Sequence, residues 1–289
     1  MHVPFVTSQP TALQALEHAR LLGLSSTEAR MLLLHALGRS RHDRAWLIAH
    51  DTDPLPSDAS ERFQTMCARR LDGEPIAYLV GYKAFHGLEL AVDARVLDPR
   101  DDTETLVEWA LELLAGRLRP AILDLGTGSG AIALALAHAI PGARVTATDA
   151  SGDALTVARA NANRLSLATR VCFAQGAWFS AVSRDERFDV IVSNPPYIAS
   201  DDPHLPALHA EPRSALVSGD AGLADLRAIV RGAPAHLLPG GWLLLEHGWQ
   251  QAQAVRTLLS EAGFGNVASR RDLAGIERAS GGRSEVQKT

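Results

Sequence analysis

The sequence predicts an α/β protein whose mostly parallel sheet carries helices on both faces. From about residue 103 onward, short apolar runs alternate with helical patterns of about 10–15 residues, as in consecutive β–α–β units. Residues 1–74 carry only helical patterns and predict a small all-helical N-terminal domain. Residues 75–98 predict a β-hairpin connector. We therefore expect a three-part chain with the α/β domain over residues 99–289.

The helical domain is predicted from residues that begin and end helices. Ser8 is expected to cap a first helix that reaches Leu22, and Gly23 follows as a stop. The last helix is expected to begin at Ser57 and to end at Gly73. These helices carry no nucleophile–base pair and no metal-binding spacing, so they indicate a packing or partner-docking module.

The connector is predicted from apolar residues that alternate on both sides of Gly87. A period of two predicts two strands joined at the glycine. The apolar residues are Tyr78, Val80, Tyr82 and Phe85 before the glycine, and Leu88, Leu90 and Val92 after it.

The α/β domain is predicted element by element from apolar runs, helical spacing and turn residues. Ile198–Gly222, rich in Asp, Pro and His, is expected to be a loop, Pro239–Gly241 a turn, and the tail two weak strands. The predicted strands are Ala121–Leu125, Arg144–Thr148, Arg170–Phe173, Phe188–Ser193 and Trp242–Glu246. The predicted helices include Thr103–Leu114, Ala131–Ala139, Gly152–Leu165 and Gln250–Ala262.

Composition and charge argue against several classes of protein. Lys and Arg number 28 and Asp and Glu 33, so the net charge is −5, opposite to that of proteins that coat nucleic acid. Cys67 and Cys172 lie far apart in sequence, which argues against a disulfide scaffold or a zinc module. No apolar run approaches the ~20 residues of a membrane span, and Met1–Pro10 lacks the pattern of a signal peptide. We expect a cytoplasmic protein without metal or membrane partner.

A glycine-rich loop over Gly126–Gly130 stands between a predicted strand and a predicted helix. Glycines permit a tight turn and a close approach of a ligand to the backbone. Asp149 ends the next strand, 23 residues after Gly126, where its carboxylate can accept both hydroxyls of a ribose. NAD and S-adenosylmethionine both satisfy this pattern. Asp124, two residues before the loop, favours the positively charged sulfonium ligand.

The sequence Asn194-Pro195-Pro196-Tyr197 directly follows a predicted strand. Two consecutive prolines fix φ and remove two backbone donors, so the turn is rigid and presents carbonyl groups. The Asn194 side chain offers a further acceptor, and the Tyr197 ring can lie against a flat amide or base. A rigid pair of acceptors can bind both hydrogens of a planar NH₂ group and direct its nitrogen toward a methyl donor. The motif predicts a site for a planar amino or amide group.

With these motifs the chain resembles the class I, Rossmann-like methyltransferases that use S-adenosylmethionine to modify exocyclic amino or amide nitrogens. It is most similar to the release factor glutamine methyltransferases of the HemK/PrmC type, and the resemblance covers nearly the whole chain. Besides the helical domain, the segments that carry it are Glu74–Leu79, Pro99–Glu104, Asp124–Ala135, Val192–Ile198, Glu211-Pro212, Leu243–Gly248 and Glu277–Arg283.

The resemblance implies a role for each residue of the two motifs. The residues that would hold the cofactor are Gly126, Thr127, Gly128, Ser129 and Gly130 for its methionine part, Asp149 for its ribose and Trp178 near its adenine. The residues that would bind substrate and carry the chemistry are Asn194, which also touches the cofactor, and Pro195, Pro196 and Tyr197.

The implied reaction is in-line transfer of the sulfonium methyl group to a glutamine side-chain nitrogen. The glutamine is that of the Gly-Gly-Gln motif of class I peptide chain release factors, and the enzyme is expected to be a monomer. No clear general base is found. The alternative is a nucleic-acid adenine-N6 methyltransferase, which shares motif and cofactor, but the net charge of −5 opposes direct nucleic-acid binding. A non-catalytic scaffold and an NAD oxidoreductase fit the intact motifs less well.

Two residues depart from the family's usual I-P-R-P-D-T-E segment. Asp98 replaces the apolar residue and Asp101 replaces the second proline. In the tail, Ser280 stands where the family usually has threonine. The first change adds charge to the segment that leads into the catalytic domain, so we expect it to affect local conformation rather than the reaction.

Overall fold

The structure, a computed structural model, describes residues 9–285, which form two units. The first unit contains residues 9–81 and Ala207–Ala210, and the second contains residues 82–206 and 211–285. Ser8, the predicted cap of the first helix, lies outside the described residues.

The first unit is helical, and side-chain caps mark the starts of its first two helices. Its helices are α1 (Ala12–Leu21), α2 (Ser26–Ala36), α3 (Arg44–Ala49), α4 (Ser57–Leu71) and α5 (Ile76–Val80). Thr11 and Gln14 each accept a hydrogen bond from the other's backbone N–H at the start of α1. Ser25 and Glu28 do the same at α2. Each pair satisfies amide donors that the helix leaves free, so both starts are well defined.

The prediction of a strand that begins near Tyr78 is wrong, because this segment is helix α5. Pro75 precedes the helix, and Gly81 ends it in a left-handed conformation with φ of 81°. A run of five apolar or aromatic residues is compatible with the spacing of a strand or of a helix. The proline before it and the glycine after it favour a helical turn.

A short antiparallel hairpin opens the second unit. Its strands are β1 (Tyr82–Phe85) and β2 (Leu88–Ala91), with Phe85 opposite Leu88. His86 and Gly87 form the turn with φ of 45° and 76°, the two positive values that a two-residue hairpin turn requires. The predicted hairpin is thus present, but it begins at Tyr82.

The core of the second unit is a mixed, mostly parallel sheet. Its strands are β3 (Ala121–Leu125), β4 (Arg144–Asp149), β5 (Val171–Gln175), β6 (Phe188–Ser193), β7 (Leu237–Glu246), β8 (Phe264–Arg271) and β9 (Glu277–Ser284). Within the described residues their order is β5-β4-β3-β6-β7-β9-β8. The pairs β7–β9 and β9–β8 are antiparallel, and the other four pairs are parallel. Because the chain reverses its direction across the sheet between β5 and β6, a ligand crevice is expected at the carboxyl ends of β3, β4 and β6.

Helices connect the strands on both faces of the sheet. They are α6 (Glu104–Leu114), α7 (Ala131–Ala139), α8 (Gly152–Arg164), α9 (Gly219–Gly222), α10 (Ala224–Gly232) and α11 (Ala252–Glu261). The predicted loop Ile198–Gly222 contains short helical turns, among them α9, in which Asp220 and Ala221 have left-handed angles. On one sheet face, α10 and α11 pack against the strands through Leu123, Leu125, Ile191, Leu243, Leu245, Leu226, Ile229, Val255 and Leu259.

The predicted turn Pro239–Gly241 is wrong, because these residues belong to β7, which begins at Leu237. The pairing of β6 with β7 shifts register between Phe188 and Val190, and this irregularity takes up the additional residues of β7. A bulge of this kind keeps proline and glycine inside a strand without a regular ladder of hydrogen bonds.

Candidate active site

The glycine loop joins β3 to α7 at the carboxyl edge of the sheet. Gly126, Gly128 and Gly130 have φ of 72°, 55° and 86°, in the left-handed region that favours glycine. The N–H groups of Gly126 and Thr127 both donate to the Thr148 carbonyl at 2.9 Å. These bonds hold the loop against β4 and define its shape.

Asp124 is fully buried at the base of this loop. One carboxylate oxygen accepts the Thr127 hydroxyl at 2.6 Å and the Ala133 N–H at 3.2 Å, and the other has no partner among residues 9–285. Burial raises the pKa of Asp124 to about 7, the two hydrogen bonds oppose this, and the negative charge of Asp149 adds to it. Asp124 therefore supports the loop from below.

Asp149 ends β4 and faces the loop. Its Oδ2 accepts the Gly128 N–H and its Oδ1 accepts the Ser151 N–H, both at 2.9 Å. The carboxylate is thereby fixed in orientation, and its remaining lone pairs are available to hydroxyl donors.

Trp178 packs its ring over the glycine loop. A Cβ atom at Gly126 would lie 3.4 Å from this ring, so glycine permits the close approach. Trp178 itself has φ of 48°, and its carbonyl accepts the Thr148 hydroxyl at 3.4 Å. A bulky residue held in the left-handed region is strained by about 1–3 kcal/mol, and such strain concentrates at functional sites.

Asn194 follows β6 and lies beside the glycine loop. The preceding Ser193 hydroxyl donates to the Leu125 carbonyl at 2.7 Å, which joins the ends of β6 and β3. The Asn194 Nδ2 donates to the Thr103 hydroxyl oxygen at 3.2 Å. Its Oδ1 is buried without a partner in the described part of the chain. An unpaired buried acceptor costs about 1–3 kcal/mol, so a donor on a ligand would stabilise it.

The three residues after Asn194 point in different directions. Pro196 faces the cavity described below, whereas Pro195 is buried. The Tyr197 hydroxyl lies 3.4 Å from the Glu246 carboxylate, and the Tyr197 carbonyl accepts the Gln251 amide at 3.0 Å. Burial, and secondarily the Glu246 charge, raises the pKa of Tyr197, so its phenol remains protonated.

A cavity of about 580 Å³ brings most of the predicted site together. This volume lies within the range of small-molecule and cofactor sites. Predicted residues on its wall are Gly126, Thr127, Gly128, Ser129, Asp149, Trp178, Asn194 and Pro196. Gly130, Pro195 and Tyr197 do not line it. Gly130 has a structural reason for its identity, because a Cβ there would lie 2.9 Å from the Leu134 side chain.

The cavity wall carries negative charge. Asp149, Asp153 and Asp225 line it, and the lining Arg95 is paired with Asp93 at 2.6 Å. A cationic ligand is therefore favoured over an anionic one.

Two other kinds of site are absent from residues 9–285. In this part of the chain, no group of three His, Cys, Asp or Glu side chains could hold a metal ion. None of its helices has the length and apolar character needed to span a membrane.

Thr103 was missed as a site residue by the sequence analysis. It lines the cavity and binds Asn194, yet its position in the Pro99–Glu104 segment was the only signal, and a lone threonine carries no recognisable spacing. Pro99 and Pro212 also line the cavity, and both lie in segments that carry the family resemblance. Further lining residues without a sequence signal are Ala94, Arg95, Val96, Leu97, Ser214 and Ala215.

The two departures from the family segment form ion pairs near this wall. Asp98 is buried, its N–H donates to Glu211 at 3.2 Å, and Arg100 lies between the two carboxylates, 3.4 Å from Asp98. Burial raises the pKa of Asp98, and the Lys83 and Arg100 charges oppose the increase. Asp101 pairs with Lys83 at 2.9 Å. Both added carboxylates therefore have cationic neighbours.

Fold and site together define a methyltransferase: residues 103–272 match the family model described as methyltransferase small domain, and residues 11–81 match the PrmC N-terminal domain. The chain belongs to the family of release factor glutamine methyltransferases. A member from Bordetella pertussis is 55% identical over 262 residues, covering 90% of this chain and 95% of the relative. One from Burkholderia pseudomallei is 50% identical over 283 residues, covering 96% and 98%.

Solved structures agree with the fold class predicted from the sequence. The crystal structure of a methyltransferase from Pyrococcus furiosus matches with a TM-score of 0.52 and 22% identity, covering 77% of this chain and 100% of that one. The predicted class I methyltransferase fold, with its mostly parallel sheet and additional helical domain, is therefore confirmed.

Proposed function

We propose that this protein transfers a methyl group from S-adenosylmethionine to the glutamine side-chain nitrogen of the Gly-Gly-Gln motif in class I peptide chain release factors. The observation that carries the proposal is the buried Asn194 Oδ1, which has no hydrogen-bond partner among residues 9–285 and lies beside a glycine loop and a fixed Asp149. Membership of the family, whose relatives bear this activity in their names, supports the same substrate.

The residues present fit S-adenosylmethionine. Gly126, Thr127, Gly128 and Ser129 offer a wall without bulky side chains for its methionine part, and Asp149 offers an acceptor for its ribose. The Trp178 ring provides an apolar surface for the adenine, and the acidic wall suits the sulfonium charge. The cofactor supplies an electrophilic methyl group when bound.

The chain's own contribution is to orient and polarise the substrate amide. An amide nitrogen is a poor nucleophile because its lone pair is delocalised into the carbonyl group. Accepting its N–H bonds at Asn194 Oδ1 and the Pro195 carbonyl raises electron density on nitrogen and fixes the direction of attack. The prolines hold these acceptors rigid. Tyr197 stays a predicted substrate contact, with its hydroxyl next to Glu246.

The helical unit is proposed to dock the release factor and so to supply binding energy away from the reacting atoms. Because its substrate acts on ribosomes, the protein is proposed to work in the cytoplasm, as a monomer. A nucleic-acid substrate is disfavoured by the net charge of −5 and the acidic wall of the cavity.

The decisive experiment incubates the protein with radiolabelled S-adenosylmethionine and either a class I release factor, the same factor with its Gly-Gly-Gln glutamine replaced by alanine, or duplex DNA. Label is expected only on the unmodified factor. Label on DNA alone would overturn the proposal.

The Asn194→Ala variant tests the site itself. We expect transfer to fall by about 100-fold or more, the usual effect of removing one polarising group. The melting temperature should change little, because Asn194 makes one side-chain hydrogen bond. Asn163→Ala, at an exposed position of α8, is the matched control. Near-normal turnover of Asn194→Ala would refute its assigned role.

A further inference from the structure

Two distant stretches of the chain form one wall of the cofactor cavity. Asp98 and Glu211, which are 113 positions apart in sequence, lie where the two stretches meet. The lining residues of the first stretch are Val96, Leu97 and Pro99, and those of the second are Pro212, Ser214 and Ala215. Neither stretch is part of a β-strand, so their mutual position depends on contacts other than a ladder of strand hydrogen bonds.

The Glu211 side chain joins the two stretches. It is only 2% exposed, and its two carboxylate oxygens have different donors. Oε2 accepts the Asp98 N–H at 3.2 Å, and Oε1 accepts the Arg100 guanidinium, which also lies 3.4 Å from the Asp98 carboxylate. Charge-assisted hydrogen bonds of this kind are roughly twice as strong as neutral ones. Glu211 thereby holds its neighbour Pro212 close to Asp98 and Arg100.

The other end of the second stretch is attached beside the Asn194–Tyr197 turn. The Ile198 N–H donates to the Leu216 carbonyl at 2.9 Å. Between the two attachments the chain forms the 3₁₀ turn Arg213–Ala215, which carries two of the lining residues. The second stretch is therefore held by a backbone hydrogen bond at one end and by the Glu211 carboxylate at the other.

We propose that Glu211 and Arg100 are positioning residues for S-adenosylmethionine, because they hold Pro212–Ala215 in the arrangement that bounds the cofactor cavity. The apparent dissociation constant of a ligand rises when the binding-competent arrangement of its site is less populated. The ion pair of Glu211 and Arg100 keeps that arrangement populated before the cofactor binds. The inference rests on the cofactor of the proposed function and is independent of the substrate that receives the methyl group.

The Glu211→Gln variant tests this pair with little change of shape. A glutamine side chain has one acceptor end and one donor end, whereas both oxygens of Glu211 face donors. An NH₂ group then opposes either the Asp98 N–H or the Arg100 guanidinium. The dissociation constant for S-adenosylmethionine, measured by calorimetric titration, is expected to rise about tenfold, since a hydrogen bond to a charged group is worth about that factor or more. At saturating cofactor, kcat should stay within about twofold, because the attachment at Ile198 is unchanged.

Further variants separate the Glu211 contacts from the overall charge of the cluster. Arg100→Met should also raise the dissociation constant about tenfold. The double variant Arg100→Met/Glu211→Gln should be no worse than either single one, because its glutamine accepts the Asp98 N–H without an opposing donor. Asp98→Asn keeps both bonds of Glu211, so the constant should stay within about twofold. The control is Glu112→Gln, at an exposed carboxylate 2.7 Å from Arg270.

Hydrogen exchange without cofactor reports on the wall itself. Circular dichroism first establishes that each variant is folded, and Arg100, which is 36% exposed, provides the test if Glu211→Gln does not fold. The peptide covering residues 211–218 is expected to exchange about tenfold faster in Glu211→Gln and Arg100→Met, whereas β3 exchanges as in the wild type. The Glu112→Gln control should match the wild type in both peptides.

Four results would overturn the proposal. They are an unchanged dissociation constant in folded Glu211→Gln and Arg100→Met, an equal increase in Asp98→Asn, multiplied losses in the double variant, and unchanged exchange of residues 211–218. Absence of label on the release factor, with a wild-type protein that binds the cofactor, would instead refute the proposed function and leave this inference intact.

Discussion

Replacing Gly222 by alanine tests how the Asn194–Tyr197 turn is held. Gly222 ends α9 with φ of 86°, and a Cβ atom there would lie 2.2 Å from the Tyr197 carbonyl oxygen and 2.9 Å from its carbon. The same carbonyl accepts the Gln251 amide. The Asn194–Tyr197 turn therefore packs directly against Gly222, a residue that lies outside the motif in sequence.

Two costs follow from the added methyl group. A non-glycine residue in the left-handed region costs about 1–2 kcal/mol, and overpacking costs about 1–3 kcal/mol. The free energy of unfolding should fall by about 2–5 kcal/mol, and the melting temperature by about 4–20 °C. If Tyr197 moves away instead, a displacement of about 1 Å at the substrate site should lower turnover about 100-fold.

Thermal unfolding and initial rates of release factor methylation measure both outcomes. Gly219→Ala is the control in the same turn, because the nearest atom to its Cβ is Ala224 Cβ at 3.7 Å, an ordinary contact. This control should stay within about 0.5 kcal/mol of the wild type. A Gly222→Ala protein with wild-type melting temperature and wild-type turnover would refute the reasoning.

Two further predictions concern buried polar groups. Asn161 bonds the N–H and carbonyl of Ala91 at 2.7 and 2.9 Å and the Ser129 carbonyl at 2.9 Å, so Asn161→Leu should cost about 3 kcal/mol or more and weaken cofactor binding. Chemical denaturation and calorimetric titration measure this, with Asn163→Leu as the exposed control. Because the pKa of Asp124 is raised from 3.8 to about 7, its stabilising contribution is complete below about pH 4 and is lost as pH rises through about 7. The stability of wild type relative to Asp124→Asn should therefore fall between about pH 4 and 7 and level off at higher pH, and a pH-independent difference would contradict the assignment.

The elements of the second unit were predictable wherever one local signal dominated. Strands β3 and β6 have the bounds expected from their apolar runs, and α7 begins directly after the glycine loop as predicted. The errors fell where local signals were ambiguous. The five apolar or aromatic residues of Ile76–Val80 fit the spacing of a strand as well as that of a helix. The residues Pro239–Gly241 are typical of a turn, and only the irregular pairing with β6 places them inside a strand.

Those parts of the candidate site that consist of short motifs at the ends of strands could be predicted from the sequence. The glycine loop, Asp149, Asn194 and Pro196 meet at one cavity because each lies at the carboxyl end of one of the parallel strands β3, β4 and β6. Tyr197 and Pro195 belong to the same motif but face elsewhere, since consecutive residues of a tight turn point in different directions.

The sequence by itself determined the fold class, the cofactor loop and the amide-binding turn, because periodicity, glycine and proline act on the backbone within a few residues. Only the tertiary structure decided which groups surround that turn. Thr103 is 91 positions from Asn194, and Tyr197 is 49 from Glu246. The order of the strands brings these residues together. Burial then raises the pKa of Glu246, which its neighbours in sequence do not predict.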